Sequence, residues 1–187
     1  MSSVKKVSKN KDEKVKKVKN ESENPNRIIF IEKVILSAGA VGDDLKKAKK
    51  LLELLSGMRA QIIISSKRIP DFGVRPGLEV GTRVTLRKQK ASDLLMKLLG
   101  ALDNIIRKKQ VSDNHFSFGI EEYIEIPGIT YQREIGIRGL NVTVVFARNG
   151  LRVKRKKIKS GQIPDKQYIA KEEIIKFMED NFKTKVI

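Results

Sequence analysis

Cysteine and tryptophan are absent from these 187 residues, and histidine occurs once. Without cysteine there is no disulfide scaffold, no thiolate metal site and no cysteine nucleophile. A lone His115 supplies neither a histidine-based metal site nor a Ser-His-Asp arrangement, and it reads as a turn residue. Glu121 and Glu122 are adjacent, so on a strand they would face opposite ways and could not share acid–base work. No apolar run approaches the roughly 20 residues needed to span a bilayer, and the lysine-rich start lacks the apolar core of a secretory signal. These absences predict a soluble cytoplasmic protein with no membrane partner, no cofactor, no metal and no enzymatic chemistry.

What is abundant is positive charge. The chain has 40 Lys and Arg against 22 Asp and Glu, giving a formal net charge of +18 and a pI near 10.1. So large an excess repels itself in a compact fold unless a polyanion neutralises it; DNA, RNA and anionic membrane are the candidate classes. The charge is denser at the two ends than in the body: +4 over residues 1–26, +8 over 27–150 and +6 over 151–187. Residues 1–24 have valine as their only apolar type after Met1 and read as a disordered basic arm, with a simple solubilising extension as the alternative.

Residues 25–187 read as one α+β domain. RIIFIEKVIL, rich in β-branched residues, predicts a strand. Asp43 or Asp44 then caps a helix with Leu45, Ala48, Leu51, Leu52 and Leu55 inward and Lys46, Lys47, Lys49 and Lys50 outward, ending at Gly57. A strand at 61–64, a loop at 65–77 and a strand at 79–87 follow. In the last of these Val80, Thr82, Val84 and Leu86 point to the core, while Arg83, Thr85 and Arg87 point away. Ser92 or Asp93 caps a second helix through Leu94, Leu95, Leu98, Leu99 and Leu102. Short strands are expected at 116–118, 123–126, 135–137 and 141–148, with turns at Pro127-Gly128 and Gly139. A basic loop at 151–165 precedes a helix at 171–182 that turns Ile174, Ile175, Met178 and Phe182 inward. The whole predicts a two-layer sandwich, an antiparallel (mixed) sheet with helices on one face and the other face open to solvent or RNA.

Two features bear on nucleotide chemistry. The strand–turn–helix around Ser37, Gly39, Gly42 and Asp43 lacks both GxGxxG spacing and a Gly-Lys-Ser/Thr ending, and its aspartates would repel a phosphate. The cluster Arg152, Lys154, Arg155, Lys156, Lys157 and Lys159 contains no acidic residue and can neutralise several phosphates, although phosphate contact alone confers little sequence specificity.

KRIPDFGVRPGLEVGTRVTLR at 67–87 resembles a signature of the large-subunit ribosomal protein family numbered five, which carries the 5S rRNA. FSFGIEEYIEIPGI at 116–129 and GIRGLNVTVV at 136–145 resemble two further family signatures. The resemblance covers roughly residues 25–185, and RVKRKKIKSGQIP with the closing helix looks like the archaeal and eukaryotic form. It implies contact with 5S rRNA, contacts with the large rRNA in the central protuberance, and a loop reaching the P-site tRNA. It also implies neighbouring ribosomal proteins as partners, including a small-subunit bridge partner, and a ribosome-bound location. By position, Ser65–Gly77 would be the tRNA-proximal loop, with Lys67, Arg68 and Arg75 on phosphates and Phe72 either stacking on a base or packing inward. Thr85 and Arg87 match the family's RNA-facing strand, and Arg83 shares their face. Ser37, Met58 and Asn141 depart from the Asn, Gln and acidic residue common in relatives; Ser37 keeps one hydrogen bond, Met58 offers only a weak acceptor, and Arg59 is a possible substitute. The rival reading is a general basic nucleic-acid packager whose arms do all the binding.

Overall fold

The computed structural model describes residues 24–187, so the expected basic arm lies outside the described residues except for its last position. Strands β1 (Ile29–Gly39), β2 (Gln61–Ile64), β3 (Glu79–Leu86), β5 (Val111–Ser112), β6 (His115–Ile120) and β7 (Leu140–Arg148) form a six-stranded sheet in the order β2-β3-β1-β7-β6-β5. Strands β4 (Ile105–Ile106) and β8 (Lys185–Val186) make a separate parallel pair. Helices α1 (Asp43–Ser56), α2 (Gln89–Gly100) and α3 (Lys171–Phe182) complete the expected α+β sandwich, with the helices on one face of an antiparallel sheet.

Register follows from burial. Val34 faces Leu86, Leu36 faces Val84 and Ala38 faces Thr82, and all six are buried. A slip of one residue would turn this set to solvent, so the hydrophobic alternation itself holds the pairing. Strand β6 alternates in the same way, burying Phe116, Phe118 and Ile120 against Val144, Val142 and Leu140 of β7. Helix α1 buries Leu45, Ala48, Leu51 and Leu52, and α2 buries Ala91, Leu94, Leu95, Leu98 and Leu99.

Several expectations need correction. Neither Asp43 nor Asp44 caps α1: Gly42 occupies the cap with φ +68°, and the aspartates sit in the first turn, where they complement the helix dipole. Helix α2 starts at Gln89, ahead of Ser92 and Asp93, and Asp93 accepts a hydrogen bond from Gln89 Nε2 at 3.0 Å. Leu102 lies beyond the end of that helix. Residues 123–125 form a 3-10 turn rather than a strand, since Tyr123 is fully buried and its hydroxyl accepts the Gln132 backbone N–H at 2.9 Å. Residues 135–137 also form no strand: Ile135 is buried from a turn, and Gly136 takes φ +70°. Apolar residues in a loop that plugs a core mimic a strand when only composition is read. Glu121 and Glu122 therefore follow β6 instead of lying within a strand, and His115 opens β6 instead of occupying a turn.

The described residues group into two compact bodies. One comprises Ile31–Phe146 with Ala170–Ile187 and holds the helices and most of the sheet. The other comprises 24–30 with Ala147–Ile169; in it Arg148 Nη1 donates to the Lys166 carbonyl at 2.9 Å and Gln167 Nε2 to the Asn149 carbonyl at 2.6 Å.

Gly139 marks a tight approach. A Cβ there would sit 2.8 Å from the carbonyl oxygens of both Ile120 and Glu121, and backbone cannot swing aside. Gly139→Ala is expected to destabilise the chain by about 1–3 kcal/mol, in the range of overpacking changes. A urea midpoint equal to that of the parent would show that the approach relaxes at no cost.

Candidate nucleic-acid interface

The sheet face opposite the helices carries the alternate residues of each strand. Ile35 faces Thr85 and Ser37 faces Arg83 across β1 and β3, while Gln61 faces Arg83 across β2 and β3. Ser117 faces Thr143 and Gly119 faces Asn141 across β6 and β7. In a chain of net charge +18, this surface is mainly hydroxyl, amide and glycine, with Arg83 and Lys33 as its cations. Such a surface suits hydrogen bonding to sugars and base edges better than bulk charge neutralisation.

At one end of the face a shallow depression of about 490 Å³ is lined by Ser37, Gly39, Gly119, Glu121, Gly139 and Asn141, among others. Its glycines keep the floor low. No cation lines it, and Glu121 disfavours phosphate there, so its chemistry fits a ribose or base.

The expected site residues separate into groups. Ser37, Arg83, Thr85 and Asn141 share the open face. Arg87 does not join them: β3 stops at Leu86, and the Arg87 guanidinium lies 3.3 Å from Glu32, whose side chain is only 9% exposed. Met58 and Arg59 sit in the turn between α1 and β2, where the Met58 backbone N–H is 3.2 Å from Ser56 Oγ.

The 65–77 segment is more ordered than a plain loop. Ile69 and Val74 exchange backbone hydrogen bonds of 2.9 and 3.0 Å, and the Ser65 backbone bonds the Leu78 carbonyl and the Gly77 N–H at 2.9 Å each. It thus extends the β2–β3 hairpin and ends in a 3-10 turn, Pro70–Phe72, closed by Gly73 at φ +62°. Phe72, at the tip, is 76% exposed, so it does not pack inward in the free chain; Lys67, Arg68 and Arg75 are exposed around it.

In the second body the basic segment forms one helical turn, Arg152–Arg155, and then runs irregularly through exposed Lys156, Lys157 and Lys159. Lys154 is engaged, with Nζ 3.0 Å from the Tyr168 hydroxyl and 5.3 Å from the ring centre. Arg155 also has a partner within the chain.

The lysine face of α1 is largely neutralised by its surroundings. Lys46 pairs with Asp43 at 2.9 Å and Lys50 with Glu134 at 2.8 Å, while Asp44 is shared between Lys47 and Arg138. The hydrogen bond from Lys46 holds the Asp43 carboxyl below its ordinary value and raises Lys46, and Lys50 lowers Glu134 in the same way. This face is a poor candidate for phosphate.

Gln61, Ser117, Thr143 and Tyr168 belong to these surfaces without having been expected there. The alternation in HFSFGI and NVTVV was enough to find Ser117 and Thr143. Gln61 required the β2–β3 register, and no sequence signal pointed to Tyr168.

Known proteins share most of this chain. A model of the C-terminus of the ribosomal protein five family of the large subunit matches residues 79–177, from β3 into α3. The large ribosomal subunit protein uL5 of Nanoarchaeum equitans is 40% identical over 168 residues, spanning 88% of this chain and 99% of that protein. The corresponding protein of Sulfurisphaera tokodaii is 38% identical over 168 residues, 88% and 95% of the two chains. That of Picrophilus torridus is 38% identical over 170 residues, 89% and 97% of the two chains. At this identity and coverage the chain belongs to the uL5 family of large ribosomal subunit proteins, which are structural RNA-binding proteins and not enzymes.

Proposed function

We propose that this chain anchors 5S rRNA to the large-subunit rRNA of the central protuberance, using the open face of the sheet as its recognition surface. In this reading Ser37, Arg83, Thr85 and Asn141 meet 5S rRNA, and Met58, Arg59 and Arg87 border the contact. The basic segment, Arg152 to Lys159, neutralises rRNA phosphates. The 65–77 hairpin extension reaches the P-site tRNA, with Lys67, Arg68 and Arg75 on its backbone and Phe72 stacked on a base or sugar. Neighbouring ribosomal proteins, including a small-subunit bridge partner, complete the setting, and the protein works on the cytoplasmic ribosome.

The observation that carries this reading is the composition of the open face. A protein that only condensed nucleic acid would gain most from lysines there. This face instead presents hydroxyls and amides around one central arginine. Folded RNA is recognised by shape, 2′-hydroxyls and unstacked bases, which such groups can meet.

Arg83→Ala combined with Thr85→Val tests it. Thr85 is half-buried and Arg83 exposed, so the pair leaves the core intact. Binding to transcribed 5S rRNA should weaken by about tenfold or more, consistent with loss of one charged and one neutral hydrogen bond, and preference over an unrelated structured RNA should shrink. Unchanged affinity and preference would remove this face from the 5S contact.

A further inference from the structure

The row of the open face that runs through Arg83 holds a residue with no role so far. We infer that Gln61 is a specificity-determining residue, its side-chain amide reading the edge of one nucleobase beside a phosphate held by Arg83. This rests on the open face being the RNA-binding surface, and it adds a residue to that surface.

The geometry is direct. Gln61 is the Cα partner of Arg83, and Arg83 is the Cα partner of Ser37, so the three side chains project from one face in a line across three strands. Adjacent strands lie about 4.8 Å apart, which puts Gln61 and Ser37 roughly 10 Å from each other with the guanidinium between them. Gln61 is exposed, as is Arg83, and neither side chain has a hydrogen bond or ion pair among the described residues. Both are therefore available to a ligand without first breaking an internal contact.

The residue type also calls for an explanation. Strand β2 reads QIII, and a β-branched residue at its exposed start would suit an edge strand better than glutamine does. Glutamine offers what valine or isoleucine cannot, a donor and an acceptor in one plane, the pattern that pairs bidentately with a base edge. Arginine beside it can hold the backbone of the same or the next nucleotide. Phosphate contact fixes position while the amide distinguishes bases, the usual division of labour at nucleic-acid surfaces. Because β2 is an edge strand, a base can approach Gln61 from beyond the sheet without displacing a neighbouring strand.

The test uses the full chain with Gln61→Val, Gln61→Glu and the Arg83→Ala/Thr85→Val pair. Each is titrated with transcribed 5S rRNA and with an unrelated structured RNA of equal length at several salt concentrations. Gln61→Val is expected to lose about tenfold in 5S affinity, with binding to the unrelated RNA, the salt slope and the urea midpoint unchanged. Gln61→Glu, which keeps an acceptor and loses both donors, should lose as much 5S affinity or more and guards against a folding defect peculiar to valine. Parent-like 5S affinity in both Gln61 variants, alongside a weakened Arg83/Thr85 variant, would overturn the role of Gln61 and leave the surface standing. Parent-like affinity in all three would instead remove the surface, and equal losses on both RNAs would overturn base reading.

Discussion

Phe146→Ala is expected to cost about 3–5 kcal/mol of folding stability, the range for emptying a large aromatic site in a close-packed core. Phe146 is 1% exposed, and its ring centre lies 5.8 Å from Phe116 in a stacked arrangement and 5.5 Å from Phe177 edge-on. Phe116 in turn stacks on Phe118 at 5.8 Å. The chain has only seven phenylalanines and no tryptophan, yet four of the seven meet here, joining β6 and β7 to α3. Removing Phe146 therefore opens a cavity against partners on two kinds of element. Domains hold roughly 5–15 kcal/mol in total, so a loss of this size is a large fraction of what keeps the chain folded. Urea unfolding should show a lower midpoint with an unchanged slope, and Phe146→Leu should lose clearly less because most of the volume is refilled. A loss below about 1 kcal/mol for the alanine variant would mean that α3 is held by something other than this cluster.

The four-phenylalanine cluster also shows where sequence reading stops. The period of α3 gave Ile174 and Met178, which are buried, but also Ile175 and Phe182, which are only half-buried, while Phe177 was missed although it touches Phe146. Helical spacing defines a stripe to within one residue either side; the neighbour across the interface decides which residue reaches in. The regular strands were legible because alternation has a period of two and cannot be confused once one face is buried. The loop between β6 and β7 was not, since Tyr123, Ile126 and Ile135 fill the core from turns and carry no period. At the interface, the strand face of Arg83 and Thr85 followed from alternation. Its width did not: Gln61, Ser117 and Thr143 join it only through pairing between distant strands. Arg87 shows the converse, a residue with the right parity that leaves its strand and turns to Glu32.

Replacing all six cations from Arg152 to Lys159 by glutamine is expected to weaken RNA binding by roughly a hundredfold or more near physiological salt while leaving the ratio of 5S to unrelated RNA almost unchanged. Each phosphate neutralised contributes about 0.7–0.9 to the slope of log affinity against log salt. Lys154 is partly committed to Tyr168 and Arg155 has a partner in the chain, so the slope should become shallower by about three to five rather than by the full complement. The segment makes few of its own fold's contacts beyond one helical turn, and Lys156, Lys157 and Lys159 are exposed, so stability should change little. The rival view of the chain as a general packager predicts a different pattern. With binding carried by the basic ends, this variant lacking residues 1–24 as well would lose all measurable affinity and would have no 5S preference to retain. A sheet-face reader keeps its preference because the residues that discriminate, on β1, β2, β3 and β7, are untouched. Titrating both RNAs at two salt concentrations separates the outcomes: a preserved ratio at reduced affinity supports recognition by the sheet, and collapse of the ratio assigns specificity to the charge itself.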